Sequence, residues 1–121
     1  KECDWSSDVC SSDLQFAGRQ VRKWKGSSST ALAEEIQYGA SWYSFIYIDG
    51  SHVAKDVLTD ACMAWPLLKP KGIMVFDDYM WGDPRDILHR PKPAIDAFCN
   101  IFAEEAEIVH IGYQLVVRKK A

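Results

Sequence analysis

The sequence predicts an α/β fold with parallel strands and a C-terminal antiparallel hairpin. Two compact runs rich in β-formers, Tyr43-Ser44-Phe45-Ile46-Tyr47-Ile48 and Ile73-Met74-Val75-Phe76, each end in acidic residues. Between them Val53, Val57, Leu58, Ala61, Cys62 and Trp65 recur at helical spacing. Later, Glu107-Ile108-Val109-His110-Ile111 and Gln114-Leu115-Val116-Val117 are separated only by Gly112-Tyr113. Strand, amphipathic helix, strand is a βαβ unit, whose crossover is right-handed. Two strands divided by two residues form a hairpin.

The remaining elements follow in chain order. Residues 1–14, KECDWSSDVCSSDL, are Ser/Asp-rich and unlike the rest. They read as an artefactual or disordered segment, and DWSSDVCSSDL resembles the translation of a common sequencing adapter. Such a stretch is set aside from fold reasoning, which leaves 15–121 as part of one domain. Residues 21–25 alternate weakly as a short strand ending at Gly26. Ser27 to Thr30 offer helix N-caps before the helix-forming run ALAEEI. The long β-rich runs are continuous rather than alternating, the pattern of buried parallel strands. The crossover helix is expected over 53–64, with Pro66 ending or kinking it and Lys69-Pro70-Lys71-Gly72 forming a turn. Residues 79–91 have no clear period and form a long loop. Ile95, Phe98 and Phe102 mark a further helix that begins near Pro93.

Composition narrows the function classes. At 121 residues, 48% apolar and 26% charged, the chain has the make-up of a soluble globular domain. A net charge of -3 supplies no electrostatic footprint for nucleic acid. No apolar run approaches the roughly 20 residues that span a bilayer, and no secretory leader is seen, so a cytoplasmic location with no membrane partner is expected. Cys62 and Cys99 sit in helix-patterned apolar segments and read as buried reduced thiols. Cys3 and Cys10 have neither the spacing nor the neighbouring histidine of a zinc site.

The chemistry is expected at the carboxyl ends of the strands, where open α/β sheets bind their ligands. Asp49 ends one strand and Asp77-Asp78 ends the next. If the strands are neighbours, the three carboxylates share one rim and repel unless a cation joins them. Oxygen ligands of this kind suit Mg²⁺, Mn²⁺ or Ca²⁺. The plainer alternative is that one or two of these acids only cap the next helix or turn. His52 follows Asp49 at the start of the crossover helix, either as a general base beside the acids or as a solvated first-turn histidine. His89 and His110 read as structural or incidental.

The string FIYIDGSHVAKDVLTDACMAWPLLKPKGIMVFDDYMW, followed by PKPAIDAF and HIGYQLVVRK, resembles the C-terminal half of class I S-adenosylmethionine-dependent methyltransferases. It is similar to the IDGSH…DD type found in macrolide sugar O-methyltransferases. The resemblance covers roughly residues 24–119. It implies an incomplete Rossmann-like methyltransferase sheet, with the strands side by side in the order 43–48, 73–76, 114–117, 107–111 and two or three helices. It implies that Asp49, Asp77 and Asp78 hold Mg²⁺ in those members that use a metal, with Asp49 and His52 serving catalysis and His52 the candidate base. It implies S-adenosylmethionine as cofactor, with Gly26, Ser27 and Ser28 at the adenine edge, and a small-molecule or sugar hydroxyl as methyl acceptor. The family's Gly-rich turn after its first strand and the acid after its second have no counterpart before Val21. The chain is therefore expected to be a fragment that is inactive alone, with strand 21–25 poorly partnered and strand 43–48 presenting an apolar edge.

Other readings stay open on the residues alone. An Mg²⁺-dependent phosphoryl-transfer or receiver-like domain also clusters acids at strand ends. A nicotinamide oxidoreductase would add a GxGxxG turn, which this sequence lacks. A non-catalytic remnant or interaction module would bind neither cofactor nor metal.

Overall fold

The computed structural model describes residues 25–121. The opening segment, Cys3, Cys10 and the strand expected at 21–25, save its last residue, lie outside the described residues. Helix α1 (Ser28–Gln37) starts at Ser27, whose hydroxyl accepts a hydrogen bond from the Thr30 backbone N–H. Strand β1 (Tyr43–Ile48) leads into helix α2 (Ala54–Ala64), and a single 3₁₀ turn (Trp65–Leu67) carries Pro66. Pro66 ends α2 because its ring cannot donate the next helical bond. Strand β2 (Leu68–Phe76), helix α3 (Lys92–Ile101) and the hairpin of β3 (Ala106–Ile111) and β4 (Leu115–Lys119) complete the chain.

The four strands form one sheet in the order β1-β2-β4-β3, as expected. β1 and β2 are parallel, and β4 runs antiparallel to both β2 and β3. A receiver-like doubly wound sheet is parallel throughout, so this mixed sheet departs from that alternative.

The turn expected at residues 69–72 lies inside β2. Tyr43 pairs with Leu68, and Phe45 already pairs with Ile73, so two steps along β1 match five along β2. The surplus residues are taken up in an irregular excursion where Lys71 adopts a left-handed φ of 69°. The turn-forming residues therefore turn locally, and the strand resumes beyond them. Gly72 makes this possible. A Cβ there would stand 2.7 Å from Leu68 Cδ1 and 2.8 Å from the Lys69 carbonyl oxygen. Gly72→Ala is expected to lower stability by about 1–3 kcal/mol, the usual scale of overpacking, as read from its urea midpoint.

The core lies on one face of the sheet. Val57, Ala61, Ala64 and Trp65 meet Met74, Phe76, Leu115 and Val117, and Ile95 and Phe98 of α3 close the layer. Phe98 is fully buried among aromatic rings, edge-on to Trp65 at 5.3 Å and to Phe76 at 5.4 Å, and stacked on Phe102 at 4.4 Å. Lys119 fastens β4 to the 3₁₀ turn by donating 2.9 Å bonds to the Trp65 and Leu68 carbonyls. Burial pushes its ammonium down from the ordinary lysine value, and the Glu105 charge offsets part of that. Cys62 is exposed, contrary to the buried thiol expected, because it sits one residue round α2 from the buried Ala61. Cys99 is half-buried, and burial lifts its thiol to about 11.

Among the described residues β1 is an edge strand. Contrary to the buried strand expected at 43–48, no residue of β1 is buried: Tyr43, Phe45 and Tyr47 stand exposed, Tyr43 donating to Glu35 of α1, while Ile46 and Ile48 pack half-buried against the core. No helix of the described residues is long and apolar enough to cross a membrane.

Candidate functional site

Parallel pairing sets Ile48 opposite Phe76, so Asp49 and Asp77 leave the sheet on the same rim. The Asp77 backbone N–H donates to the Ile48 carbonyl at 3.0 Å, carrying the ladder one residue past β2. The chain then turns sharply. Asp78 takes a left-handed φ of 59°, and its N–H donates to Asp77 Oδ1 at 2.8 Å. One carboxylate oxygen from each of Asp49, Asp77 and Asp78 lies within 4.8 Å of the others. The structure therefore brings all three expected metal ligands together. Asp49 and Asp77 are half-buried, and Asp78 is buried.

His52 joins the same group. Its Nε2 lies 2.8 Å from Asp78 Oδ2, and its ring stacks on Trp81 with centroids 3.9 Å apart. Local chain chemistry delivers it there. Ser51 Oγ accepts from the Val53 N–H at 2.9 Å and donates to Asp56 at 3.0 Å, which fixes the turn before α2. The first amide of α2, Ala54 N–H, is capped by the Leu88 carbonyl of loop 77–91 at 2.9 Å. This loop contacts the site through Trp81. His89 stays within the loop, 3.1 Å from Asp86, and His110 is an exposed residue of β3.

Hydroxyl and amide groups surround the acids. Burial and the Asp77 carboxylate that accepts its hydrogen bond push the Tyr47 phenol up to about 12, and the Asp49 charge adds to the rise. At Asp77 burial pushes upward, but the hydrogen bonds of Tyr47 and the Asp78 N–H outweigh it, so the carboxyl lies below its ordinary value. Tyr113 donates to Asp78 Oδ1 at 2.6 Å. Gln114 Nε2 donates to the Tyr47 oxygen at 2.9 Å and reaches Asp77 Oδ1 at 3.4 Å. The sequence marks Tyr47, Tyr113 and Gln114 only as strand and turn residues. Their signal is the antiparallel register of β4 on β2, which becomes readable once the strand order is known.

Gly26, Ser27 and Ser28 make no hydrogen bond to the acid group that the structure shows. Ser27 caps α1, and Ser28 Oγ donates to Asp60 Oδ1 of α2 at 2.6 Å. Asp60 sits beneath the turn after β1, its Oδ2 3.7 Å from where a Cβ of Gly50 would stand. Burial raises the Asp60 carboxyl, the Ser28 bond opposes that, and the Asp56 charge adds to it. The start of α1 is thus tied to the turn that carries Gly50.

The donor set is chemically suited to a hard divalent cation. Three converging carboxylates offer only oxygen, with excess negative charge, at the mouth of a sheet.

Comparison with known proteins agrees with this architecture. A family described as a methyltransferase domain matches residues 4–79, so the matched span also includes the adapter-like stretch 4–14. No curated protein matches. Among solved structures, the MycE methyltransferase of the mycinamycin biosynthetic pathway, in complex with Mg, SAH and mycinamycin VI, superposes with a TM-score of 0.62 at 17% identity. That match covers 82% of this chain and 32% of MycE. A Corynebacterium glutamicum protein gives a TM-score of 0.65 at 20% identity, covering 91% of this chain and 52% of its own. A Staphylococcus aureus protein assigned as a caffeoyl-CoA O-methyltransferase gives 0.58 at 18% identity, covering 91% and 56%. At such identities the likeness is one of fold, and the chain spans from about a third to just over half of these proteins. The family match extends over more than half of the 121 residues, and the chain belongs to the methyltransferase-domain family.

Proposed function

We propose that this chain is the C-terminal, acid-bearing part of an S-adenosylmethionine-dependent O-methyltransferase acting on a small-molecule or sugar hydroxyl. The observation that carries this reading is the convergence of Asp49, Asp77 and Asp78 within 4.8 Å, with His52 bonded to Asp78. The mixed sheet and its likeness to MycE, solved with Mg and SAH, support it.

In this reading Asp49, Asp77 and Asp78 hold Mg²⁺, and Gly26, Ser27 and Ser28 touch the adenine edge. When bound, S-adenosylmethionine supplies an electrophilic methyl group and Mg²⁺ the Lewis acidity that acidifies an acceptor hydroxyl. His52 receives the hydroxyl proton. The Asp78 carboxylate, 2.8 Å from Nε2, would stabilise the imidazolium so formed. Trp81 holds the imidazole plane and excludes water from one of its faces. The proton released as the acceptor oxygen is methylated would rest on His52.

The Gly-rich turn and ribose-binding acid of such enzymes have no counterpart in the sequence before Val21, so this chain alone is proposed to bind the cofactor poorly and not to turn over. Calorimetric titration with S-adenosylhomocysteine tests that part, since tight binding by this chain would overturn it. For the site itself, Mg²⁺ is titrated into the chain and into Asp77→Asn. Affinity is expected to fall about tenfold or more, at least the loss that follows damage to a metal's outer shell. Equal affinity in the two proteins would remove the carboxylate site.

A further inference from the structure

We infer that the tip of the β3–β4 hairpin is a working part of the cation site, with Tyr113 and Gln114 as positioning residues that orient Asp78 and Asp77 for a divalent ion. This deepens, and rests on, the reading of the three acids as a metal site.

The placement follows from register. Phe76 pairs with Leu115 across the antiparallel β2–β4 ladder, so the next residues outward, Asp77 and Asp78, face Gln114 and Tyr113. The Tyr79 N–H donates to the Tyr113 carbonyl at 2.8 Å, which locks the hairpin tip to the acidic turn. The acid pair is therefore flanked by Asp49 of the β1 end on one side and by the hairpin tip on the other.

The side-chain contacts are specific. Tyr113 Oη lies 2.6 Å from Asp78 Oδ1, while His52 Nε2 lies 2.8 Å from Oδ2. One donor on each oxygen sets the plane of the carboxylate. Gln114 reaches the other acid: its amide donates to the Tyr47 oxygen at 2.9 Å and to Asp77 Oδ1 at 3.4 Å.

The chemistry of these donors also discriminates. A lysine or arginine at the tip would neutralise the acids and compete with a cation. A phenol and a carboxamide orient the carboxylates and leave their negative charge in place, the division of labour expected around a metal. A hairpin needing only a turn would be served by small polar residues. Tyr113 and Gln114 are instead exposed side chains whose polar ends return to the acids.

Mn²⁺, followed by the loss of its free-ion electron paramagnetic resonance signal, is the probe. This chain, Tyr113→Phe and Gln114→Leu are titrated, and ion-free thermal midpoints are recorded alongside. Each variant is expected to bind Mn²⁺ about tenfold more weakly, with its ion-free midpoint within a few degrees of the parent. Unchanged affinity in both variants, with binding by the parent, overturns the positioning role and leaves the metal reading standing. A parent that binds no Mn²⁺ overturns both. Should Tyr113→Phe fail to fold, Gln114→Leu decides, because its exposed side chain is outside the core.

Discussion

Phe98→Ala is expected to shift the urea midpoint far below that of the parent. The Phe98 ring is fully buried and touches Trp65, Phe76 and Phe102, so it joins α3 to the 3₁₀ turn, the sheet and the chain beyond α3. Truncation removes the transfer free energy of the ring and leaves a cavity that three rigid aromatic neighbours cannot collapse to fill. The cost for such a change is about 3–5 kcal/mol, against a whole stability of about 5–15 kcal/mol for a typical domain. Ile101→Ala on the same helix is the control. That side chain is 72% exposed, and its loss is expected to change stability by no more than about 0.5 kcal/mol. Urea unfolding followed by tryptophan fluorescence separates the two. Coincident midpoints would mean that α3 does not close the core as described.

Asp78 gives the second large effect, and the choice of replacement splits it into two parts. The residue combines a left-handed φ of 59° with a buried carboxylate contacted by both Tyr113 and His52. Asp78→Asn keeps a side chain that tolerates the left-handed region and retains one carbonyl acceptor. It is expected to fold, with Mg²⁺ affinity reduced about 10- to 100-fold, comparable to the loss on removing a metal's supporting interactions. Asp78→Ala forfeits the acceptor for two donors as well, at about 1–3 kcal/mol, and adds left-handed strain of about 1–2 kcal/mol. It is therefore expected to lose ion binding and stability together. Calorimetry with Mg²⁺ and a thermal melt on both variants make the check. An asparagine variant that binds Mg²⁺ like the parent would assign Asp78 a purely structural role.

Much of this architecture is legible in the residues. The run at 73–76 is continuous and apolar because β2 lies inside the sheet, the run at 43–48 shows a strand but not that its residues stay exposed, and the acidic ends of both locate the rim. The helical spacing of Val57, Ala61 and Trp65 locates α2, and Asp49, His52, Asp77 and Asp78 come together as their places in a βαβ unit require. Other features depend on contacts distant in sequence. Lys69-Pro70-Lys71-Gly72 has the composition of a turn, and only its pairing with β1 shows that the strand continues through it. Cys62 looks apolar in a window of residues, but one step round the helix from Ala61 turns it to solvent. Tyr113 and Gln114 carry no motif. Their role depends on β4 lying between β2 and β3, a fact of topology that no local pattern contains.

The excursion in β2 bears on how such a protein can change over generations. Insertions and deletions are the coarsest form of variation, and a one-residue slip in a strand normally turns every later side chain to the opposite face. Here the surplus residues sit upstream of Ile73, and the ladder from Phe45–Ile73 to Ile48–Phe76 is regular after them. Changes in length at 69–71 can be absorbed before the chain reaches the acids. The approach to Asp77 and Asp78 is thereby insulated, so a lineage can lengthen or shorten that edge of the molecule while its chemistry keeps the same alignment.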